Sequence, residues 1–563
     1  MTTTPLSDDL ADRAAPLDAL LVDAALGPRR LIPDASTAKL ALGLVRRPRQ
    51  TGRRLSEFAA DVARAAMGRS TVAPHRGDRR FTDPAWTENP VLHRVLQTYL
   101  AAARTAGDLV GEAGLSKRDE LRAHFLVDNL VEALAPSNLP WVNPAAAKAA
   151  VDSGGLNFVR GSLGLARDLA TAPRVPQMVD GSPFHIGRNI AATPGAIVLR
   201  TEQLEFIQYR PQTELVHTVP VVIAPPTINK YYALDLAPGR SLVEYLVQQG
   251  LQVFVISWRN PDARHADWGF DTYVQAIVDA VDAANRICGT DRAALFGFCS
   301  GGILSALTAA VLAATGDGDR LAAFGLGVTV LDYTDAGLSG ALVDRNLAAA
   351  AKAASRRTGY LDGRNLAEVF AWLRPGDLIW NYWVNNYLLG NKPAAFDILF
   401  WNADTTRMSA RLHADFVDVS MDNALARPNM LTARGVPVDL SQIKTDTYVV
   451  AGVADHLTPW ESCYRTTGLF GGTSRFVLSS GGHIAALVNP PGNPKASYRV
   501  NAVNPPDPAD WLAGAQTVRD SWWPDLVDWL AERCGPDKIA PTELGGGGLR
   551  PLVEAPGTYI FDS

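Results

Sequence analysis

The sequence predicts an α/β fold with a mostly parallel central sheet, a helical cap inserted into the sheet domain, and a helical N-terminal domain. Three observations lead to this prediction. Apolar side chains show helical spacing before about residue 183, short apolar runs alternate with helical segments after it, and a tryptophan-rich interval breaks that alternation. The predicted domains are therefore 1–183, mainly helical, and 184–563, with the cap at about 333–441.

The composition is that of a globular protein with a large core. Of the 563 residues, 47% are hydrophobic and 20% are charged, which excludes a wholly disordered chain, collagen and an integral membrane protein. The 53 basic and 58 acidic residues give a net charge of −5, so no excess of positive charge predicts nucleic-acid binding. The function must therefore be sought in specific sites.

The N-terminal domain carries three helical patterns. Two of them have apolar side chains at helical spacing, at Leu55, Phe58, Val62 and Ala66 and at Leu92, Leu96, Tyr99 and Leu100. A third helix is expected around 121–134, and it should end before Pro136 because proline cannot continue a helix.

Arginines cluster between residues 29 and 80 of this domain. The densest group comprises Arg46, Arg47, Arg49, Arg53 and Arg54. One interpretation is a solvated helix face, and the other is an interaction surface for a partner protein, an anionic ligand or a lipid-coated particle. The sequence leaves both interpretations open.

The sheet domain begins with a predicted hairpin of residues 195–199 and 204–209. Continuous apolar runs follow, as expected for strands that are buried on both faces, at 219–224, 251–258, 294–298, 321–331 and 447–453. Helical segments such as 241–249 and 273–287 lie between successive runs. This alternation indicates βαβ units and hence a mostly parallel sheet.

The interval 333–441 departs from this rhythm and predicts the cap. It is rich in tryptophan, with Trp372, Trp380, Trp383 and Trp401. The segment from Trp380 to Leu389 has two interpretations, the lining of an apolar tunnel for a substrate or simple packing of aromatic side chains. A cap of this kind could also keep water away from a site beneath it.

The cysteines and the first residues indicate a reducing compartment. Cys288, Cys299, Cys463 and Cys534 form no C-x-x-C pair, so neither a metal site nor a disulfide framework is predicted. The start of the chain lacks the basic and apolar segments of a signal peptide, and a cytoplasmic protein is expected. The uncharged stretch 293–316 is interpreted as strand, turn and helix because glycines interrupt it.

The segment Gly297-Phe-Cys-Ser-Gly-Gly302 follows a predicted strand and precedes a predicted helix. It has the form of the G-x-S-x-G nucleophile elbow of α/β hydrolases, with Cys299 in place of serine. Such an elbow places the sulfur at a helix N-terminus, which favours the thiolate. The alternative is a structural turn that contains an inert buried cysteine. The sequence that follows favours the elbow, and the predicted fold is therefore the α/β-hydrolase fold.

Two further residues complete the hydrolase order of nucleophile, acid and histidine. Asp455 follows the run 447–453, and His483 lies in a glycine-flanked loop after the short predicted strand 475–478. Because parallel strands end at the same edge of a sheet, Cys299, Asp455 and His483 are predicted to meet there. His456 competes for the role of base, but it would have to fold back on its neighbour Asp455, so His483 is preferred. For His456, two interpretations stay open, a secondary role in the site and a structural role.

Cysteine as the nucleophile favours acyl transfer from a thioester, because exchange of one thioester for another keeps the acyl group activated. The transition state would be stabilised by the backbone N–H of Ser300 and by an N–H from the loop 225–230. The candidate oxyanion and substrate-binding residues are therefore Ser300, Ile228, Asn229 and His456.

Several motifs together resemble the polyhydroxyalkanoate synthases. They are Pro225-Pro-Thr-Ile-Asn-Lys-Tyr-Tyr-Ala-Leu-Asp-Leu236, Ser257-Trp-Arg-Asn-Pro261, Gly297-Phe-Cys-Ser-Gly-Gly302, Asp377-Leu-Ile-Trp-Asn-Tyr-Trp-Val-Asn-Asn-Tyr-Leu-Leu-Gly390, and Trp401-Asn-Ala-Asp-Thr-Thr-Arg407. The resemblance extends from about Asn89 to Tyr559 and is closest to the single-component classes I and II. The motifs mix features of both classes, so the chain length of the substrate stays open.

The resemblance implies a polymerase that converts (R)-3-hydroxyacyl-CoA into polyester and releases CoA, with no cofactor beyond the CoA thioester substrate. Cys299 would carry the growing chain, His483 would generate the thiolate, and Asp455 would help to activate the incoming 3-hydroxyl group. The resemblance also implies a homodimer in the cytoplasm, located at the surface of polyester granules partly through its N-terminal domain, with granule-associated proteins as further partners.

Two other functions remain open at this point. A cysteine-triad thioesterase or depolymerase would release free hydroxy acid, and a non-catalytic granule-coating protein would retain the fold alone. The presence of Cys299, Asp455 and His483 in hydrolase order argues against the second alternative.

Overall fold

A computed structural model describes residues 17–26, 35–75, 77–334 and 345–563. The N-terminal part is helical, and its helices are α1 (Leu17–Leu26), α2 (Ala35–Arg46), α3 (Pro48–Ala66), α4 (Pro90–Glu112), α5 (Lys117–Ala133), α6 (Pro144–Ser153) and α7 (Leu156–Ala170). A single helical turn, Ala85–Glu88, precedes α4. The three helical patterns of the sequence thus correspond to α3, α4 and α5, and α5 ends before Pro136 as expected.

Two arginines of the densest group form ion pairs with the end of α4. In α3, Arg53 and Arg54 lie 3.0 and 2.7 Å from the same carboxylate oxygen of Glu112 in α4. The guanidinium of Arg47 donates to the backbone carbonyl of Glu112 at 2.8 Å. These three arginines therefore join α3 and the segment before it to the end of α4.

One sheet contains eleven strands in the part of the chain that the structure describes. They are β1 (Gly195–Arg200), β2 (Leu204–Tyr209), β3 (Val221–Ala224), β4 (Val253–Trp258), β5 (Ala293–Phe298), β6 (Leu321–Gly327), β7 (Thr447–Gly452), β8 (Ser474–Ser479), β9 (Tyr498–Val500), β10 (Gln516–Val518) and β11 (Val553–Glu554). Their order across the sheet is β10-β9-β8-β7-β6-β5-β3-β4-β2-β1-β11.

The centre of the sheet, from β4 to β8, is parallel throughout. Every residue of β3, β5 and β7 is buried, which explains why these strands appear in the sequence as continuous apolar runs. Antiparallel strands extend both edges, and the predicted opening hairpin is confirmed as β1 and β2, with Ile197 opposite Ile207. This α/β-hydrolase architecture confirms the predicted fold class.

Helices cover both faces of the sheet. Those of the sheet domain outside the cap are α8 (Leu242–Gln248), α9 (Phe270–Cys288), α10 (Ser300–Ala314), α15 (Trp460–Arg465), α16 (His483–Leu487), α17 (Pro508–Gly514) and α18 (Trp523–Ala531), and those of the cap are α11 (Arg345–Thr358), α12 (Gly363–Leu373), α13 (Asp397–Ala403) and α14 (Ala410–Met421). Within the described ranges, no helix has both the length and the apolar composition required to cross a membrane. The uncharged stretch 293–316 forms β5 and α10, as the sequence predicted.

The cap is tied to the N-terminal helices at two places. Buried His413 of α14 donates from Nε2 to the carbonyl of Leu21 in α1 at 3.2 Å, and its Nδ1 lies 2.7 Å from Ser355 Oγ of α11. Burial lowers the pKa of His413 to about 4, so the ring is neutral at pH 7. Helix α1 therefore packs on the cap.

The second place is a π-helical segment of the cap, which we call the π segment and which comprises Gly376–Trp380 and Trp383–Leu388. Tyr387 donates from its hydroxyl to Asp168 of α7 at 2.6 Å. Asn157, also in α7, donates to the carbonyl of Leu388 at 2.7 Å. The ring of Trp383 contacts the rings of both Trp380 and Tyr387, which is the pattern expected of aromatic packing.

Candidate active site

Cys299 lies on a sharp turn between β5 and α10. Its backbone has φ +51° and ψ −122°, a conformation that a side-chain-bearing residue rarely adopts. A Cβ atom at Gly301 would overlap the carbonyl oxygens of Ala224 and Pro225, and one at Gly297 would overlap Ser305. These two glycines are therefore required for the turn, and the geometry is that of a nucleophile elbow.

The four cysteines differ in their accessibility. Cys463 and Cys534 are buried, whereas Cys288 and Cys299 are half-buried. Burial raises the pKa of Cys288 and that of Cys534 to about 12, and it also raises the pKa of Cys463 well above its usual value. Cys299 is the one at a helix N-terminus beside a histidine, so it is the candidate nucleophile.

The sheet brings Asp455 and His483 together. Strands β7 and β8 are parallel neighbours in which Gly452 pairs with Ser479, and the two functional residues follow these strands by three and four positions. His483 Nδ1 lies 2.7 Å from Asp455 Oδ2, and both side chains are buried. The predicted acid and histidine therefore form a hydrogen-bonded pair at the edge of the sheet where Cys299 lies.

Asp455 is fully engaged by donors in its own loop. Its Oδ1 accepts the backbone N–H groups of Leu457 and Thr458 at 2.8 and 3.0 Å, and its Oδ2 accepts the hydroxyl of Thr458 at 2.6 Å. Burial alone would raise the pKa of Asp455, but His483 and these hydrogen bonds hold it below its usual value. Both oxygens of the carboxylate are thus occupied, which suits a group that orients His483.

His483 is placed to exchange protons with Cys299. Burial alone would lower the pKa of its imidazole, but Asp455 and the side chain of Cys299 raise it, to about 10. Because Nδ1 is held by Asp455, Nε2 is the nitrogen left to face the sulfur. The ring can therefore hold a proton next to Cys299 and return it to a leaving group.

His456 differs from His483 in its surroundings. It is half-buried, and burial lowers its pKa to about 4, so its ring is neutral at pH 7. Asp455 makes its hydrogen bond to His483 rather than to His456. A place for His456 at the margin of the site, as a neutral polar group, stays a prediction.

The predicted oxyanion loop, residues 225–230, lies directly beside the elbow. The buried hydroxyl of Ser300 accepts the backbone N–H of Thr227 at 3.0 Å. Asn229 has φ +63°, and its side-chain amide donates to the carbonyls of Trp401 and Asn402 in the cap, at 3.3 Å each. Ile228, the residue between Thr227 and Asn229 in the sequence, is half-buried and packs against the hydrophobic core.

Sequence reasoning identified the backbone of Ser300 as a donor but missed the role of its side chain in fixing the loop. It also missed Thr458, which contacts both Asp455 and His483. The spacing Asp-x-x-Thr at 455–458 carried that signal, because a carboxylate often caps the N–H and hydroxyl groups two and three residues later.

Comparison with known proteins extends over nearly the whole chain. Residues 77–246 match the family described as the N-terminus of poly-beta-hydroxybutyrate polymerase (PhaC), and residues 220–490 match the family described as the alpha/beta hydrolase fold. The chain is 43% identical over 556 residues to poly(3-hydroxyalkanoate) polymerase 1 of Ectopseudomonas oleovorans, with 99% of each chain covered.

Two further relatives show the same pattern. Poly(3-hydroxyalkanoate) polymerase 2 of Ectopseudomonas oleovorans is 44% identical over 517 residues, with 92% of each chain covered. The poly(3-hydroxyalkanoate) polymerase subunit PhaC of Cupriavidus necator is 38% identical over 515 residues, which cover 90% of this chain and 87% of the relative. The similarity therefore includes both the helical N-terminal region and the sheet domain.

Proposed function

The chain belongs to the poly(3-hydroxyalkanoate) polymerases, and on that premise we propose that Cys299 carries the acyl chain while His483 moves the protons of each transfer. The reaction is an acyl transfer that joins hydroxyacyl units into a polyester. The observation that carries the proposal is the placement of Cys299 on a strained elbow beside a histidine that Asp455 holds by a 2.7 Å hydrogen bond.

In the loading step, His483 takes the proton of the Cys299 thiol, and the sulfur attacks the carbonyl carbon of an (R)-3-hydroxyacyl-CoA thioester. The negative charge that develops on the carbonyl oxygen is stabilised by the backbone N–H of Ser300 and an N–H of the loop at Ile228 or Asn229. The bond from the acyl carbon to the sulfur of CoA then breaks. His483 gives its proton to the departing thiolate, and CoA leaves as the thiol.

In the elongation step, the 3-hydroxyl of another hydroxyacyl-CoA attacks the thioester at Cys299. His483 accepts the hydroxyl proton, a new ester bond forms, and Cys299 leaves as the thiolate and regains the proton. The extended chain, now a CoA thioester, reloads onto Cys299 with release of CoA. One CoA is thus released for each unit added, and no electron transfer is involved, so we propose that no cofactor takes part.

Asp455 acts through His483 in this scheme. Each of its oxygens already accepts two hydrogen bonds, and its side chain is fully buried. To accept the proton of the 3-hydroxyl group directly, Asp455 would have to lose at least one of these hydrogen bonds. The hydrogen bonding therefore supports Asp455 as the residue that orients His483 and stabilises its charged form, rather than as the base for the 3-hydroxyl group.

The assay for this function follows CoA release and turbidity together. The purified chain is supplied with 3-hydroxybutyryl-CoA and, separately, with 3-hydroxyoctanoyl-CoA. We expect CoA release accompanied by turbidity with at least one of them, and the faster substrate defines the chain-length preference. CoA release with only soluble acid would show a thioesterase and contradict the proposal, and a chain that releases no CoA from either substrate would contradict it as well.

We propose that the outer face of α7 attaches the enzyme to its polyester. This face carries three apolar side chains, Leu156, Val159 and Leu163, of which the second and third follow the first by three and seven positions. They are 60%, 55% and 64% exposed. The product is an apolar polymer, so a face of this kind gains free energy by leaving water on contact with it. This attachment would place the enzyme in the cytoplasm at the granule surface.

The double variant Val159→Glu with Leu163→Glu should reduce the fraction of enzyme that sediments with preformed polyester particles several-fold, because two charges oppose burial of the face. CoA release from soluble substrate should stay unchanged. Ile539→Glu, a charge at an 82% exposed apolar residue of the strand Asp537–Ile539, serves as the control. Undiminished sedimentation, or conversion of a dimer into a monomer by the double variant, would contradict this assignment of the α7 face.

Two partner proposals rest on the family alone. We propose that two copies associate into a homodimer and that granule-associated proteins join the enzyme at the polymer surface. Membership of the polymerase family supports both proposals. Sedimentation velocity of the full chain at several concentrations tests the first, and a single monomeric species throughout would contradict it.

A further inference from the structure

Lys230, the last residue of the oxyanion loop, has a buried ammonium group. The residue is only 5% exposed, and its Nζ donates to the backbone carbonyl of Asp562 at 2.5 Å. Burial lowers the pKa of Lys230, while the nearby carboxylates of Asp404 and Asp562 act in the opposite direction. Because a buried charge is costly unless it is paired, the ammonium of Lys230 depends on its partners, and one of them is the Asp562 carbonyl, more than three hundred residues away along the chain.

The segment 558–562, which we call the C-terminal strap, is firmly held against the sheet. The backbone N–H groups of Thr558 and Tyr559 donate to the buried carboxylate of Glu205 in β2, at 2.7 and 2.9 Å. The Tyr559 hydroxyl donates to the carbonyl of Thr201 at 2.7 Å, and the guanidinium of Arg259 lies 4.0 Å from the centre of its ring. The carbonyl of Asp562 is therefore a fixed acceptor.

Hydrogen bonds to three of its backbone carbonyl groups restrain the oxyanion loop. The carbonyl of Pro225 accepts the indole N–H of Trp258 at 3.0 Å, and that of Thr227 accepts a hydroxyl from the cap at 3.2 Å. The carbonyl of Lys230 accepts the indole N–H of Trp401 at 2.7 Å. The carbonyl of Thr227 and the N–H of Ile228 belong to one planar peptide group, so the hydrogen bond to this carbonyl also fixes the direction of that candidate donor.

An oxyanion donor is effective only if its direction is set before the charge develops, since its reorientation would otherwise cost free energy in the transition state. The elbow end of the loop is set by the hydrogen bond from Thr227 to Ser300. At the other end, the side chain of Lys230 reaches away from the loop to the strap. The loop is thus held at both ends, and at the second end the contact from Lys230 to the strap adds to the hydrogen bond that Trp401 donates to the Lys230 carbonyl.

We propose that Lys230 is a positioning residue for acyl transfer, and that its hydrogen bond to the C-terminal strap holds the oxyanion loop in its reactive geometry. The strap, which is more than three hundred residues away along the chain, is thereby part of the active site. This inference rests on the proposed function, because it requires an oxyanion to form at the thioester carbonyl.

The test uses Lys230→Met, which removes the charge and retains most of the side-chain length. Two reactions of Cys299 are compared: first-turnover CoA release from hydroxyacyl-CoA, and alkylation by iodoacetamide. Alkylation displaces iodide and forms no oxyanion, so it reports on the sulfur and His483 alone. We expect CoA release to fall by about 10- to 100-fold, since one oxyanion donor is worth about 100- to 1000-fold, while KM and the alkylation rate stay within twofold of the wild type.

Lys538→Met is the matched control. The ammonium of Lys538 also donates to a backbone carbonyl, that of Cys288, at 2.8 Å. Cys288 ends α9, just before the start of β5, whereas Cys299 follows the end of β5. The control contact therefore lies at the opposite end of this strand from the site. The control variant should behave as the wild type. Tyr559→Phe, which loosens the strap without touching Lys230, should lower CoA release in the same selective way.

The double variant Lys230→Met with Tyr559→Phe should be no slower than Lys230→Met alone, because both act through one contact. If Lys230→Met fails to fold, as judged by circular dichroism, Tyr559→Phe carries the test by itself. Normal CoA release in a folded variant, or equal loss of CoA release and alkylation, would overturn the inference. If iodoacetamide leaves the wild type active, the proposed role of Cys299 fails instead, whatever Lys230 does.

Discussion

Replacing Cys299 with alanine should abolish CoA release and polymer formation. The alanine variant has no group that can form the covalent acyl intermediate, and His483 has no proton to take from it. We expect loss of at least about 1000-fold, the scale on which removal of a catalytic nucleophile acts. The measurement is CoA release with turbidity in the same cuvette, followed by mass spectrometry of the intact protein after mixing with substrate.

Cys288→Ala is the control for this result. Cys288 is also half-buried, but it lies at the end of α9 on the far edge of the sheet, where burial raises its pKa to about 12. The control should release CoA normally and carry an acyl adduct. An alanine variant at Cys299 that still acquires an acyl adduct, or still releases CoA at the wild-type rate, would refute the assignment of the nucleophile.

Asp455→Asn should slow loading and elongation together, by about 100- to 10,000-fold. The amide keeps the shape of the carboxylate but loses its charge, so the pKa of His483 falls from its raised value and the imidazole is no longer held in the required tautomer. Since the same histidine serves both steps in our scheme, neither step should be spared.

Rapid mixing separates the two steps, because the first CoA released reports loading and later CoA reports elongation. Asp439→Asn is the control, as Asp439 likewise accepts backbone and hydroxyl hydrogen bonds, both from Ser441, but lies outside the site. If Asp455→Asn loaded at the normal rate and failed only in elongation, Asp455 would have to act directly on the 3-hydroxyl group, as the family resemblance implied.

The central strands could be predicted because burial on both faces leaves a continuous apolar run. The edge strands β9 and β10 could not, because each has three residues with exposed positions and no readable period. The bounds of the cap, about 333–441, rest on a change in composition and stay a prediction. The packing of α1 on the cap left no such signal, since it depends on contacts such as that from His413 to Leu21, nearly four hundred residues apart.

The site shows the same division. Cys299, Asp455 and His483 were predicted from local turn chemistry and from their order along parallel strands, and the structure brings Asp455 and His483 into contact. The supporting contacts were not predicted. Lys230 donates a hydrogen bond to a backbone carbonyl of the strap. Every residue has such a carbonyl, so the sequence does not indicate which one Lys230 contacts. Local rules thus locate reacting groups, whereas their supports depend on the completed fold.

The hydrogen bonds between α7 and the π segment have a mechanical consequence. Asp168 and Asn157 on α7 hold Tyr387 and Leu388 of the cap at 2.6 and 2.7 Å, so a displacement of the helix is transmitted to the cap through a stiff, closely packed connection. If the outer face of the same helix adheres to polymer, the helix that binds the product is also the helix that contacts the cap. A force on the helix at the granule surface would therefore reach the cap, so the growth of the solid product could alter the position of the segment that packs on α7.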